Sequence, residues 1–294
     1  MTIPMKNSRT LFQEVVAGIT LRESPGEISS IVYFILTGIF NITKTDIVAG
    51  KMVPYSGETA QTLQKAIQRI NSGEPVQYVL GEAYFFGRKL RVNASVLIPR
   101  PETEGLVAAV LSYCARLSKY RSHPQVISII DIGTGSGCIP VTLFNELSAV
   151  RLYATDVSAA ALSVAVDNAT LHDADITFIE HNILSEPIPV RELDVIVSNP
   201  PYVTDRERSG MARNVLDFEP HTALFVRDDD PLLFYRAIAR QSGPVLKADG
   251  LLALEINPQY AKEVADVLLD NGFKEVAVSQ DVSGKDRIVT GIKA

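Results

Sequence analysis

The chain has 294 residues, 46% of them hydrophobic and 21% charged, with a formal net charge of −6. That length accommodates one large domain or two ordinary ones, and the composition is that of a soluble globular protein. The acidic balance excludes a strong overall basic field toward nucleic acid, and the two cysteines, Cys114 and Cys138, have no metal-ligand spacing and read as free thiols of a reducing compartment.

Met1 to Val16 lacks the basic-then-apolar pattern of a signal segment. Residues up to about Ile70 read as short helices. Ser24-Pro25-Gly26-Glu27 is a helix start, with proline in the first turn and an acid beside it. Ile28, Ile31, Val32, Ile35, Leu36 and Ile39 then recur at helical spacing. The most apolar run, Ile31 to Phe40, is too short for a membrane span of about 20 residues and reads as core. Thr59 to Ile70 places Leu63, Ala66, Ile67 and Ile70 on one helical face, and Asn71-Ser72-Gly73 stops it. From Tyr84 to Ile98 the pattern is strand-like, with Asn93-Ala94-Ser95 as the expected turn of a hairpin.

The rest alternates strand and helix. Strands are expected at Val126–Ile132, Val150–Thr155, Ile176–Glu180, Leu193–Ser198, Leu251–Ile256, Lys274–Val278 and Arg287–Thr290. Helices are expected at about Cys138–Leu147, from a Ser158 cap to Leu171, at Pro231–Leu246 and at Tyr260–Asn271. This alternation predicts an α/β fold with a doubly wound, mainly parallel, seven-stranded sheet of Rossmann-like type. A small helical N-terminal domain (1–74) precedes it, joined by a hairpin linker (75–105) to the larger domain (106–294). Thr204 to Thr222 is polar and poorly periodic and reads as a mobile loop.

Ligands in such sheets bind beyond the carboxyl ends of the strands, and the informative residues sit there. Gly133-Thr134-Gly135-Ser136-Gly137 follows the first of these strands and opens a helix. Alternate glycines let backbone approach a ligand, and a helix N-terminus favours a negative group such as a carboxylate. A tight turn that binds nothing is the plainer alternative. Cys138 stands where a dinucleotide fingerprint needs glycine, which argues against a nicotinamide-dependent oxidoreductase. Asp156 ends the second strand, where an acid accepts hydrogen bonds from ribose hydroxyls; capping the next helix is the competing role. Asn182 follows the third strand, placed for an adenine edge or for a simple turn.

Asn199-Pro200-Pro201-Tyr202 leaves the fourth strand. Proline lacks an N–H and biases the preceding residue toward extended backbone, so this segment forms a stiff ledge. It offers the Asn199 side-chain oxygen and the Pro200 carbonyl as two fixed acceptors for a planar nitrogen carrying two hydrogens. An amide nitrogen is a poor nucleophile because its lone pair is delocalised. Two acceptors that strengthen as positive charge develops stabilise the transition state of methyl transfer and aim the nitrogen. Tyr202 is expected to pack its ring against the substrate. The histidines His123, His172, His181 and His221 lie outside these motifs and read as surface residues; Glu219, Pro220 and His221 follow the polar loop toward the site.

Asp131-Ile132 with the glycine turn, together with Asn199 to Tyr202, resembles the class I S-adenosylmethionine-dependent methyltransferases. Gly73-Glu74-Pro75-Val76-Gln77-Tyr78-Val79-Leu80-Gly81 and Val96-Leu97-Ile98-Pro99-Arg100-Pro101-Glu102-Thr103-Glu104 narrow the resemblance to the glutamine methyltransferases of peptide-chain release factors, the HemK or PrmC family. The resemblance implies methyl transfer from S-adenosyl-L-methionine to the glutamine amide of a Gly-Gly-Gln motif in a release factor. It implies that Gly133, Thr134, Gly135, Ser136, Gly137 and Asp156 hold the cofactor and that Asn182 and Ile183 flank adenine. Asn199 would border cofactor and substrate, with Pro200, Pro201 and Tyr202 completing the glutamine site. Arg100-Pro101-Glu102 would line the cleft, and the helical front domain would help dock the release factor. A monomeric, cytoplasmic enzyme without metal, membrane or direct nucleic-acid partner is expected. Departures from the family pattern are Asn182 in place of an aspartate, Ile256-Asn257-Pro258-Gln259 in place of a more usual glycine after the glutamate, and no glycine pair at Val226 to Asp230. Glutamine methylation of a ribosomal protein is the nearest rival, disfavoured by Arg100-Pro101-Glu102 where that group carries Arg-Ser-Pro. Methylation of the adenine amino group of nucleic acid is another, disfavoured by the acidic balance and the short helical front.

Overall fold

A computed structural model describes residues 3–120 and 126–294; His123 lies outside the described residues. Met1–Glu82 together with Ala212–Phe218 form one compact unit, and Ala83–Met211 with Glu219–Ala294 form the other.

The first unit opens with β1 (Met5–Asn7), α1 (Ser8–Gly18), α2 (Pro25–Phe40), α3 (Lys44–Ala49), β2 (Met52–Pro54), α4 (Gly57–Asn71) and α5 (Val76–Leu80). Local chemistry sets the helix ends. The Ser24 hydroxyl accepts from the Glu27 N–H at 3.2 Å with Pro25 in the first turn, and Asn41 ends the helix at φ 49°. Thr43 and Asp46 form a reciprocal capping box on α3. Leu11, Val15, Val32, Ile35, Leu36, Leu63 and Ile70, from α1, α2 and α4, meet in one buried cluster. The Gly73-Glu74-Pro75 turn is held by charge. Glu74 receives Nε and Nη2 of Arg69 at 2.7 and 2.5 Å, and the same guanidinium donates to the Tyr78 and Val79 carbonyls at the end of α5.

The second unit begins with a hairpin, β3 (Glu82–Phe85) and β4 (Arg88–Arg91), β3 starting at the boundary residue of the first unit. Its turn is Phe86-Gly87, both at positive φ (50° and 73°), as a two-residue turn matched to strand twist requires. Asn93-Ala94-Ser95 therefore turns the chain after the hairpin and does not form its tip. The twenty-residue helix α6 (Pro101–Tyr120) follows, absent from the sequence expectations. Then come β5 (Ile127–Ile132), α7 (Cys138–Glu146), β6 (Val150–Asp156), α8 (Ala159–Leu171), β7 (Ile176–Glu180), β8 (Leu193–Ser198), β9 (Val203–Thr204), α9 (Arg213–Phe218, in the first unit), β10 (Phe225–Val226), α10 (Leu233–Ser242), β11 (Leu246–Glu255), α11 (Ala261–Asp270), β12 (Phe273–Gln280) and β13 (Asp286–Lys293). The α10 helix is shorter than the Pro231–Leu246 expected: Gly243 and Pro244 interrupt it, and Leu246 already pairs with Leu193 of β8.

The seven-stranded sheet has the order β12-β13-β11-β8-β5-β6-β7. From β11 to β7 neighbours are parallel, whereas β13 is antiparallel to both β11 and β12. Side chains alternate across it. Ile129, Val195, Val197 and Ala253 join the core under α6 and α7, and Ile130, Ile196, Leu252 and Leu254 join the core under α10 and α11. Helices thus cover both faces, the condition for a mainly parallel sheet. The chain order reverses between β5 and β8, which are adjacent, so the ends of these two strands mark the crevice.

The stretch from Thr204 to Thr222 is structured and not an open loop. It contains a short 3₁₀ segment (Asp205–Gly210), α9 and a second 3₁₀ turn (His221–Ala223). Glu207 accepts the Thr204 N–H and hydroxyl at 2.8 and 2.6 Å, and the Asn257 amide donates to both Glu207 and the Tyr202 carbonyl. Such bonds replace the apolar periodicity that the sequence lacks.

Candidate active site

A cleft whose empty space, including the part open to solvent, is about 1070 Å³ lies at the carboxyl ends of β5, β6, β7 and β8. Gly133, Thr134, Gly135, Ser136, Asp156, Asn182, Ile183, Asn199, Pro200 and Pro201 all line it, with Arg100 and Thr103 across. Sheet register brings them together. Leu254, Ser198, Ile132, Thr155 and Ile179 form one row of partners across five strands, and Glu255, Asn199, Gly133, Asp156 and Glu180 are the next residues along.

The glycine turn is closed by its own backbone. The Gly133 and Thr134 N–H groups donate to the Thr155 carbonyl at 2.8 and 2.9 Å, and Gly137 donates to Thr134. The Gly135 N–H donates to Asp156 Oδ2 at 2.9 Å. These four donors are engaged within the chain. What the turn offers a ligand is open space: a Cβ at Gly133 or Gly135 would meet nothing within 4 Å, and both hold φ above +50°. Gly137 does not line the cleft. Its φ is 77°, and a Cβ there would stand 3.1 Å from the Ala165 Cβ, so this glycine serves helix packing.

Asp156 accepts the Ser158 N–H at Oδ1 and the Gly135 N–H at Oδ2, each at 2.9 Å. Burial raises its carboxyl above the usual range, and the N–H bonds from Ser158, Gly135 and Val157 oppose the rise. The carboxylate keeps acceptor capacity for a hydroxyl donor. Beneath the turn, Asp131 is fully buried, and burial, with the nearby Asp156 charge, pushes its carboxyl up to about 7. Burial likewise raises the Cys138 thiol to about 12, keeping it protonated and inert.

The Asn182 side chain accepts the Leu184 N–H at 3.0 Å, a turn role, while Ile183 presents an apolar wall. His181 is buried against the cleft, unlike the surface residue expected. Its Nε2 faces the Glu186 carbonyl at 3.2 Å and is therefore the protonated nitrogen. Two other histidines stay away: His172 donates to the Lys89 carbonyl, and His221 lies edge-on to Phe225. Of the segment after the polar loop, Pro220, Thr222 and Ala223 reach the cleft, and Glu219 and His221 do not line it. Glu219 is 4% exposed and accepts the Ile98 N–H and the Arg100 guanidinium, at 3.2 and 2.6 Å, bracing the cleft-lining strip.

On the ledge, the Asn199 Nδ2 donates to Thr103 Oγ1 at 3.2 Å, so the group left to face the cleft is its oxygen. Tyr202 does not line the cleft. Its ring packs on the core under α10 and α11, and its hydroxyl donates to Glu255 Oε1 at 3.1 Å. Its aromatic area is consumed in holding the ledge, which corrects the expectation of substrate stacking. Thr103 and Glu255 had no signal in the sequence apart from Thr103 standing in the family-like strip, because 152 residues separate them. Among the described residues no cluster of metal-ligating side chains occurs.

These side chains suit a nucleoside with a small charged tail: a carboxylate for hydroxyls, a bare turn, an apolar wall and a fixed amide oxygen beside them. Comparison with known proteins identifies the family. Residues 19–81 match the PrmC N-terminal domain and residues 117–218 the methyltransferase small domain. A release factor glutamine methyltransferase of Flavobacterium psychrophilum is 39% identical over 285 residues, 97% of this chain and 98% of that protein. The protein so named in Bacteroides thetaiotaomicron is 39% identical over 267 residues, 90% of this chain and 93% of its own. A solved release factor-specific protein-(glutamine-N5) methyltransferase of Alicyclobacillus acidocaldarius is 28% identical, with a TM-score of 0.41 over 67% of this chain and 94% of that one. The near full-length identity to curated relatives shows that the chain belongs to the release factor glutamine methyltransferase family.

Proposed function

We propose that this chain methylates the side-chain amide nitrogen of the glutamine in the Gly-Gly-Gln motif of peptide-chain release factors, using S-adenosyl-L-methionine. The observation that carries this reading is the Asn199 carboxamide, tethered through its nitrogen to Thr103 so that an oxygen acceptor stands beside the bare glycine turn. The cofactor, when bound, supplies an electrophilic methyl carbon on a sulfonium. Asp156 is suited to its ribose hydroxyls, Gly133 to Ser136 to its amino-acid end, and Asn182 with Ile183 to its adenine. The Asn199 oxygen and the Pro200 carbonyl accept the two N–H bonds of the substrate amide. With the cofactor bound they would hold the nitrogen in line and stabilise the positive charge that grows on it; the carbon–sulfur bond would give way to a carbon–nitrogen bond, S-adenosyl-L-homocysteine would leave, and the surplus proton of the nitrogen would pass to solvent.

The helical front unit is read as the docking element for the release factor, which the enzyme meets as a monomer. The net charge of −6 suits a protein substrate better than nucleic acid. Release factors act in the cytoplasm, so the reading puts the enzyme there; among the described residues no helix is long and apolar enough to cross a membrane.

Mass spectrometry of an intact release factor, incubated with the enzyme and methyl-labelled cofactor and then digested, tests the reading. A single labelled methyl on the Gly-Gly-Gln peptide is expected; label on other peptides only, or none, overturns it.

A further inference from the structure

We propose that Thr103 and Glu255 are positioning residues: the Glu255 carboxylate, acting through the Thr103 hydroxyl, dictates which end of the Asn199 carboxamide faces the substrate. The inference rests on the acceptor role given above to Asn199.

An asparagine side chain is nearly symmetric in shape but opposite in chemistry at its two ends. If Asn199 presented its NH₂ to the cleft, two donors would confront each other and the substrate nitrogen would be repelled. Something must therefore fix the rotation by 180° that shape alone leaves free. The hydrogen-bond chain behind it does so. Glu255, at the end of β11, is 1% exposed, and its Oε2 accepts from Thr103 Oγ1 at 2.7 Å. An ionised carboxylate can only accept. The Thr103 hydroxyl has a single proton, which that bond uses, so toward Asn199 it can only accept as well. The Asn199 Nδ2 meets it at 3.2 Å, and Oδ1 is left for the cleft. The other Glu255 oxygen is occupied by the Tyr202 hydroxyl at 3.1 Å, so one carboxylate fixes both ends of the ledge.

Protonation of Glu255 would release the direction of this chain. The acid could donate to Thr103, whose proton would then point at Asn199 and draw its oxygen away from the cleft. Several groups face Glu255. Arg287 of β13 favours its ionised form, and Glu102 of α6 opposes it. Tyr202, Tyr235 of α10 and Cys138 of α7 have their own ionisation suppressed by burial and remain neutral beside it. Burial raises the Glu255 carboxyl above its ordinary value, so the active, ionised form is lost as pH falls through that raised value.

The test uses the full-length enzyme with an intact release factor. Thr103→Val removes the hydroxyl and keeps the shape, and Thr103→Ser keeps the hydroxyl. For Thr103→Val, kcat should fall roughly 10- to 100-fold, with the cofactor Kd from calorimetry and the KM for the release factor unchanged. Thr103→Ser should recover most of the native kcat. Glu255→Gln, whose amide can donate or accept, should lower kcat and erase the acid limb of the native kcat–pH profile. A native kcat for Thr103→Val, or no recovery in Thr103→Ser while cofactor binding is intact, overturns the proposal, as does an unaltered acid limb in Glu255→Gln. If Asn199→Ala keeps native turnover, the acceptor reading itself fails. If Asn199→Ala is inactive while Thr103→Val is native, only the positioning proposal fails.

Discussion

Ile132 and Ser198 are register partners on adjacent parallel strands, and the Ser198 hydroxyl donates to the Ile132 carbonyl at 2.6 Å. That bond ties together the ends of β5 and β8, where the chain order reverses. The next residues, Gly133 and Asn199, therefore leave the sheet side by side. One begins the turn that leaves room for a cofactor, and the other begins the ledge that offers an acceptor.

Asn199→Ala removes that acceptor without touching the turn. Turnover should drop by about 10²–10³-fold, the usual effect of deleting one polar group aimed at a developing charge. Cofactor binding measured by calorimetry should persist. Near-native kcat in this variant would mean that the ledge does not act on the nitrogen.

Asp156→Ala removes the carboxylate that closes the glycine turn and faces the cleft. Losing hydrogen bonds to a charged group costs about 1.5–3 kcal/mol, so the cofactor Kd should rise roughly 10- to 150-fold. At saturating cofactor kcat should change far less. Titration calorimetry separates the two, and an unchanged Kd removes the ribose role.

Gly137→Ala and Gly135→Ala should differ. Both force a side chain onto positive φ, which costs about 1–2 kcal/mol. Only at 137 does the new Cβ also approach Ala165, at 3.1 Å from its Cβ and 3.2 Å from its Cα. Gly137→Ala should therefore show the lower melting temperature, while Gly135→Ala, facing open space in the cleft, should weaken cofactor binding more than it lowers stability.

Asp131 gives stability a pH dependence. Its folded carboxyl is raised to about 7 from an ordinary 3.8. Between those values the folded state binds more protons than the unfolded one, so this group's contribution falls as pH rises from about 4 to about 7. The change is on the order of a few kcal/mol. Urea unfolding across that window should show a slope that Asp131→Asn flattens; an identical slope in the variant would contradict this assignment.

The sheet was legible because its strands are apolar or alternating runs bounded by turn chemistry. Ile176–Glu180 and Leu193–Ser198 have the ends that the sequence predicts. The helix α6 was not anticipated, although Pro101 at its start, Glu102 and Glu104 in its first turn, and Leu106, Val107, Val110, Tyr113 and Cys114 at helical spacing all signal it. Its first residues also carry the family-like strip, Pro101 to Glu104. The hairpin tip was misplaced because Phe86 holds a positive φ that propensity assigns to glycine or asparagine. The cleft-lining residues Gly133, Asp156 and Asn199 could be found because each ends or follows a strand. Tyr202 could not be resolved from sequence, since whether a ring faces a cleft or a core depends on what lies behind it. Glu255 is the partner that takes its hydroxyl, 53 residues away.

The first compact unit owns two separate stretches of chain, Met1–Glu82 and the short α9 segment Ala212–Phe218. No single scission between codons yields it whole. A truncation after residue 82 leaves it without one of its helices, and the remainder carries that helix as an orphan between Met211 and Glu219. Chimeras that exchange the front of one family member for another must therefore transplant both stretches, and the pair would be inherited together.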